Sequence, residues 1–247
     1  MSQPSSSVKS GVAALNNVIL ASTCMERLVN ASSHLPKIGA LYGRAGLGKS
    51  SAATYLMNRY NAVRIECKSV WNRKTVLTEI LKRFLITPAK TMPDMLDQVC
   101  TQLQLSGRPL IIDEMDHLVK KNAVEIIRDI YDGSQAPVLL IGEENFPTEL
   151  MKWERVHSRV LDWSPVQPLD MEDTLLLADH YCRKVKVYDD LLAHIHAKSG
   201  GSARRICVNL ELVEEMTLRM GRDEIDLDTW GNQPLYTGSA PAGGGRK

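Results

Sequence analysis

The sequence predicts an α/β fold: a parallel sheet covered by helices, with a small all-helical block after it. Three observations carry this. Short apolar runs alternate with stretches whose apolar residues recur every three or four positions, the arrangement of strands joined by crossover helices. The runs are apolar at consecutive positions, as strands covered on both faces require. From Asp170 onward the pattern is helical only.

Residues 1–10 (MSQPSSSVKS) are polar and Ser-rich and read as a tail. Val12–Val29 carries the pattern of a leading helix. Lys37–Tyr42 (KIGALY), short, apolar and closed by a glycine, is the first strand, with a helix over Ser50–Tyr60 after it. Ala62–Cys67 (AVRIEC) is the second strand. Val76, Leu77, Ile80, Leu81, Phe84 and Leu85 place a helix over Thr75–Leu85, and Met92–Leu105 is another. Pro109–Asp113 (PLIID) is the third strand, Ala123–Tyr131 a helix and Pro137–Gly142 (PVLLIG) the fourth strand. Leu150–Arg159 reads as one helix that enters a short fifth strand, Arg159–Trp163. Helices over Met171–Lys184, Asp189–Lys198 and Ala203–Arg219 complete the pattern. The expected domains are therefore an α/β core over 11–169 and a helical lid over 170–230. The Gly/Ala/Pro-rich end makes 231–247 a second tail.

Composition narrows the function classes. The hydrophobic share of 44% and charged share of 24% exclude a largely disordered chain. No apolar run approaches the ~18–20 residues of a membrane-spanning helix, and a basic-then-apolar leader is missing from the start. Five scattered cysteines, with no CxxC pair, argue against a disulfide framework or zinc knuckle and for a reducing cytosol. The net charge of +1 hides an asymmetry: residues 1–100 carry 13 basic against 5 acidic groups, whereas residues 101–150 carry 4 against 9. A basic N-terminal half is compatible with a polyanionic partner and equally with solvated helix faces.

The chemistry sits in Gly43-Arg44-Ala45-Gly46-Leu47-Gly48-Lys49-Ser50, a complete G-x-x-x-x-G-K-[ST] between an expected strand and an expected helix. Glycines let the backbone wrap so that successive N–H groups face phosphates, and the helix adds its N-terminal partial charge. Lys49 then reaches the β- and γ-phosphates, Ser50 ligates Mg²⁺, and Ser51 follows within the binding turn. Asp113 and Glu114 close the PLIID strand. An acid emerging there would hold Mg²⁺, and the adjacent Glu114 would polarise an attacking water. Together they point to nucleoside triphosphate hydrolysis. Asp116 and His117 read as a helix cap or surface contacts.

Three further positions refine the expectation. Asn145, after PVLLIG and Glu143-Glu144, is placed either to orient water near a γ-phosphate or simply to start the next helix. Arg155 and Arg159 in MKWERVHSRV are candidates to project into a neighbouring copy's nucleotide, with Arg159 favoured and a structural salt bridge as the alternative. Gly200-Gly201-Ser202-Ala203-Arg204-Arg205 opens a lid helix whose first turn can carry an arginine back to the γ-phosphate, Arg204 before Arg205.

Taken together, these segments resemble an AAA+ ATPase from about Lys37 to Val213. GRAGLGKS corresponds to Walker A, LIIDE to Walker B, the next strand to sensor 1, HSRV to the arginine-finger segment and GSAR to sensor 2. Within that superfamily, EIIRDIYDGSQAPVLLIGEENFPTEL resembles the Mu B-like transposition ATPases of phages and related transposons. The resemblance implies a P-loop AAA+ core with ATP and Mg²⁺ as cofactors, in the cytoplasm of a bacterial host. It also implies ATP-dependent, largely non-specific binding of double-stranded DNA, self-association into helical filaments and a DDE-type transposase as partner, with target immunity as a family habit. About 36 residues precede the first strand, so the resemblance leaves DNA binding to the core rather than to an appended helix-turn-helix domain. Candidate phosphate contacts are Arg73, Lys74, Lys90, Thr91, Lys120 and Lys121, each equally readable as a solvated side chain. Trp71 reads as core. A helicase loader or replication initiator is the alternative function, and a signalling or secretion ATPase that never touches DNA is a third.

Overall fold

The computed structural model describes residues 15–239. Its strands are β1 (Ile38–Tyr42), β2 (Val63–Glu66), β3 (Leu110–Asp113), β4 (Val138–Gly142) and β5 (Val160–Pro165). They form one parallel five-stranded sheet in the order β2-β3-β4-β1-β5. β1, β3 and β4 are short, largely apolar runs, and β3 and β4 are buried at every position. The expected α/β class is therefore observed. The order places β4 between β1 and β3, with Ile38 opposite Val138 and Leu110 opposite the same residue. The segments after β1, β3 and β4 thus leave the sheet at the same edge, its C-terminal one, where open α/β sheets place their ligands.

Helices α1 (Asn16–Val29), α2 (Lys49–Arg59), α3 (Arg73–Arg83), α4 (Met92–Ser106), α5 (Asp116–Lys120), α6 (Glu125–Ser134), α7 (Phe146–Leu150) and α8 (Glu154–His157) accompany the strands. Their boundaries have local causes. Asn72 caps α3 by accepting the Thr75 N–H, and Thr91 caps α4 by accepting the Asp94 N–H. Gly107, left-handed at φ 62°, ends α4 with its N–H on the Leu103 carbonyl. Val76, Leu77, Ile80 and Leu81 of α3 and Met95, Val99 and Leu103 of α4 pack into one cluster with Ile65, Ile112 and Leu140 of the sheet.

Two expectations need correction. Leu150–Arg159 is not one helix: α7 ends at Leu150, and Trp153, at φ −114° and ψ 62°, breaks the chain before α8. Buried Phe146 and Leu150 tie α7 to the core as a separate short element, started early by Pro147 in its first turn. The C-terminal block is also not purely helical. Besides α9 (Met171–Tyr181), α10 (Asp189–Ser199), α11 (Ala203–Arg219) and α12 (Leu227–Trp230), it contains a parallel pair, β6 (Lys186–Val187) and β7 (Glu224–Ile225). Two-residue strands have no periodicity to betray them.

The chain divides into two compact units, one of Asn17–Ala45 with Lys49–Gln167, the other holding, among the described residues, 15–16, Gly46–Gly48 and 168–239. In the second, α9 opens with a capping box between Asp170 and Asp173. Asn209 on α11 is buried and clasps both backbone groups of Tyr236, at 3.0 and 2.7 Å. Residues 1–10, expected as a tail, lie outside the described residues, and no helix among those described is long and apolar enough to cross a membrane.

Candidate functional site

The loop after β1 folds as its glycines require. Gly43 sits at φ 152°, and a Cβ there would lie 2.5 Å from Cγ2 of Val166. Gly48 sits at φ 91°, a conformation side chains rarely adopt, one residue before α2 begins. Lys49 therefore starts the helix and bends back over the loop, its Nζ donating to the carbonyls of Gly43 and Arg44, the latter at 3.0 Å. Burial pushes the Lys49 ammonium below its ordinary range, opposed by the negative field of Glu143, Glu114, Asp116 and Asp113. Arg44 and Ser50 are exposed on this loop, and Arg44 reaches Glu144 at 3.6 Å.

Asp113 and Glu114 stand beside it. Asp113 is only 2% exposed, and its Oδ1 accepts the Glu114 N–H at 3.0 Å. Glu114 is held left-handed at φ 56°, a strained state for a non-glycine residue. Its carboxyl is raised above the usual range by burial first, then by Asp113, Glu143 and Asp116. Two neighbours escaped the sequence reading. Asp116 is buried rather than capping or superficial: its carboxylate accepts the Glu143 N–H at 2.8 Å and so ties the turn after β3 to the end of β4. Glu143, directly after β4, is the carboxylate whose charge most supports the Lys49 ammonium. Asn145 is exposed at the start of α7 and makes no side-chain capping bond there. Arg64, in the middle of β2, was also missed. Its Nη2 meets Asp113 Oδ2 at 2.6 Å and its Nη1 donates to Thr54 Oγ1 of α2 at 2.7 Å. A charged residue between two buried ones, Val63 and Ile65, was the only signal.

The arginines divide. Arg159 is forked onto Asp132, the last residue of RDIYD, with Nε and Nη2 donating at 2.8 and 2.9 Å. That is the salt-bridged arrangement left open as the alternative. Arg155 is exposed and makes no side-chain ion pair among the described residues. In the C-terminal unit, Arg204 is exposed, and its N–H donates to the Gly46 carbonyl at 3.1 Å. Arg205 turns instead to Gly238, whose Cβ would lie 3.1 Å from the arginine Nε.

Arg73, Lys74 and Lys121, distant in sequence, line one groove of about 560 Å³ with Val70, Trp71, Asn72, Met92, Asn122 and Ala123. No acidic residue lines it. Arg73 Nη2 donates to the Asn122 carbonyl at 3.0 Å, joining the start of α3 to the turn after α5. Lys74 Nζ lies 3.4 Å from the Lys90 carbonyl, which brings Lys90 to the same rim. Val70 is 80% exposed, and Trp71 is half-buried against the core rather than enclosed by it. Lys120 lines an adjoining hollow of about 350 Å³ with Asn122, Glu149, Lys152 and Trp153. Thr91 does not present a free hydroxyl: it caps α4 and donates to the Asp94 carboxylate at 2.6 Å.

Comparison with known proteins agrees with this architecture. The described fold superposes on the ORC2 protein of Aeropyrum pernix in ADPNP and ADP complexes with a TM-score of 0.64, at 18% identity over 86% of this chain and 64% of that one. The fold is that of the AAA+ ATPases. Residues 33–150 match the AAA domain family. The A. pernix ORC1 protein in complex with DNA gives 0.64 at 16% identity, covering 86% of this chain and 62% of that one. A variant of Thermotoga maritima RuvB gives 0.63 at 17%, covering 90% and 70%. The chain thus spans somewhat under two thirds of the ORC proteins' length. No curated protein sequence matches it. The loop after β1 fits a magnesium–nucleotide: Gly43 and Gly48 hold positive φ, Lys49 Nζ donates to the Gly43 and Arg44 carbonyls, and the buried Asp113 lies at the same strand edge.

Proposed function

We propose that this chain is an ATPase whose ATP-bound form holds double-stranded DNA in the groove at Arg73, Lys74 and Lys121. The convergence of those three cations, with Lys90 at the rim, in a groove free of acids is the observation that carries the reading. Backbone phosphates need only such donors, so the binding is largely independent of sequence. Lys120, in the adjoining hollow with Lys152 and Glu149, is a further candidate contact.

In the nucleotide site, loop amides from Gly43 to Gly48 and the Lys49 ammonium would hold the phosphates, while Ser50 and Asp113 would hold the cation. Magnesium, when bound, supplies neutralisation of phosphate charge. Glu114, held left-handed and raised in pKa, takes the proton of the attacking water, because a base poised nearer neutrality is the more effective. Asn145 orients that water, Arg204 senses the γ-phosphate, and Arg159 reaches a neighbouring copy's nucleotide after leaving Asp132. Turnover therefore depends on assembly.

The finer reading is that copies coat DNA as a helical filament in a bacterial host cell, select it as target and present it to a DDE-type transposase that stimulates hydrolysis. The RDIYD–PVLLIG segment supports it. A second reading, a replication initiator or helicase loader, is supported by the likeness to ORC1 bound to DNA. Fluorescence polarisation of a labelled 30-base-pair duplex tests the first step: tight binding with ATP and little with ADP is expected, and equal binding with both refutes it. Electron microscopy with a slowly hydrolysed ATP analogue tests the filament. Stimulation of turnover by a transposase, and none by a replicative helicase, separates the two readings.

A further inference from the structure

We infer that Arg64 is a positioning residue for the magnesium–nucleotide site, coupling the acid of β3 to the helix that follows the glycine loop. The inference rests on the reading of Ser50 and Asp113 as the cation's ligands. Those residues lie on different elements, and one guanidinium joins the two. Arg64 Nη2 donates to Asp113 Oδ2 at 2.6 Å, and Nη1 donates to Thr54 Oγ1 at 2.7 Å. Thr54 in turn donates its hydroxyl to the Ser50 carbonyl at 2.9 Å, inside the first turn of α2. The chain of bonds runs from the buried carboxylate to the backbone of Ser50, the residue whose hydroxyl would hold the cation.

Arg64 occupies a costly place for a charge. It alternates with Val63 and Ile65, which are buried on the opposite side of β2, and its own side chain is mostly covered. Its Nε is buried with no acceptor among the described residues, an arrangement that disfavours the side chain rather than rewarding it. What the guanidinium provides in return is its fork: donors on two separate, rigidly spaced nitrogens that meet acceptors on two elements at once, where a lysine offers only one nitrogen. Asp113 Oδ1 is already held by the Glu114 N–H, so the fork fixes the remaining oxygen and with it the plane of the carboxylate. A shift of α2 on nucleotide binding would therefore reach Asp113 through Arg64.

The test uses the full chain and a fluorescent ATP analogue, titrated first in EDTA and then with Mg²⁺, with melting curves alongside. Arg64→Lys keeps the charge and loses the fork. It is expected to bind the analogue in EDTA within twofold of the parent but to need at least about fivefold more Mg²⁺ for the half-maximal effect. Thr54→Val, which leaves the Arg64–Asp113 pair intact, should shift the Mg²⁺ midpoint the same way by less, and the double variant no further than Arg64→Lys. Lower melting temperatures with unchanged Mg²⁺ midpoints would make Arg64 merely structural and overturn the inference, as would a tighter midpoint in either variant. A parent protein indifferent to Mg²⁺ would instead remove the nucleotide reading underneath.

Discussion

At the scale of single residues, the proposed chemistry turns on Glu114. Its left-handed backbone stores ~1–3 kcal/mol of strain, of the kind found where a side chain must be aimed. Glu114→Gln should keep ATP and DNA binding while lowering turnover by ~10²–10⁴-fold, read by phosphate release beside analogue binding. Normal hydrolysis in that variant would take Glu114 out of the mechanism. The sign of the pH dependence follows from its surroundings. Burial and the charges of Asp113, Glu143 and Asp116 raise its pKa, so the base form is lost on acidification earlier than for an ordinary glutamate. Glu143→Gln removes one of those charges and should move the acidic limb of the rate profile to lower pH. A limb that stays in place would mean another group governs it.

Among elements, the proposed DNA contact rests on the start of α3 and the turn after α5. Asn72 caps α3 and fixes its first turn, where Arg73 meets the Asn122 carbonyl and Lys74 approaches Lys90. Lys74→Ala and Lys121→Ala should each weaken duplex binding uniformly across sequences. Each should also reduce the slope of log K against log salt by ~0.9, the contribution of one phosphate. Thr91→Ala should behave differently. It removes a helix cap, costing ~1 kcal/mol in denaturant melts, and leaves the salt slope as it was, because the hydroxyl already serves Asp94. A changed slope in Thr91→Ala would place that loop against DNA after all.

For the molecule as a whole, the proposed assembly turns on Arg159. Arg159 is held by both oxygens of Asp132 within one chain, so a role in trans requires it to exchange partners. Arg159→Ala should abolish the rise of specific ATPase activity with protein concentration, whereas Asp132→Ala, which frees the arginine, should preserve it. If the two variants lose activity and melting temperature in parallel, the pair is an intrachain brace and the exposed Arg155 becomes the candidate.

The sequence by itself determined the strands, the long helices and the nucleotide loop. Each is written locally: consecutive apolar residues for β3 and β4, three- and four-residue spacing for α3 and α4, and a glycine pattern followed by Lys49 for the loop. Tertiary structure alone decided the rest. The two-residue strands β6 and β7 pair 38 positions apart, below the length at which periodicity exists. Glu143 enters the site through the β4 end, Asp116 through a bond across to that end, and Arg64 through the fork beneath Asp113. The groove exists only because folding brings Lys121 beside Arg73. Backbone preferences act between near neighbours along the chain, whereas charge and hydrogen bonding act through space, and only the folded sheet sets those distances.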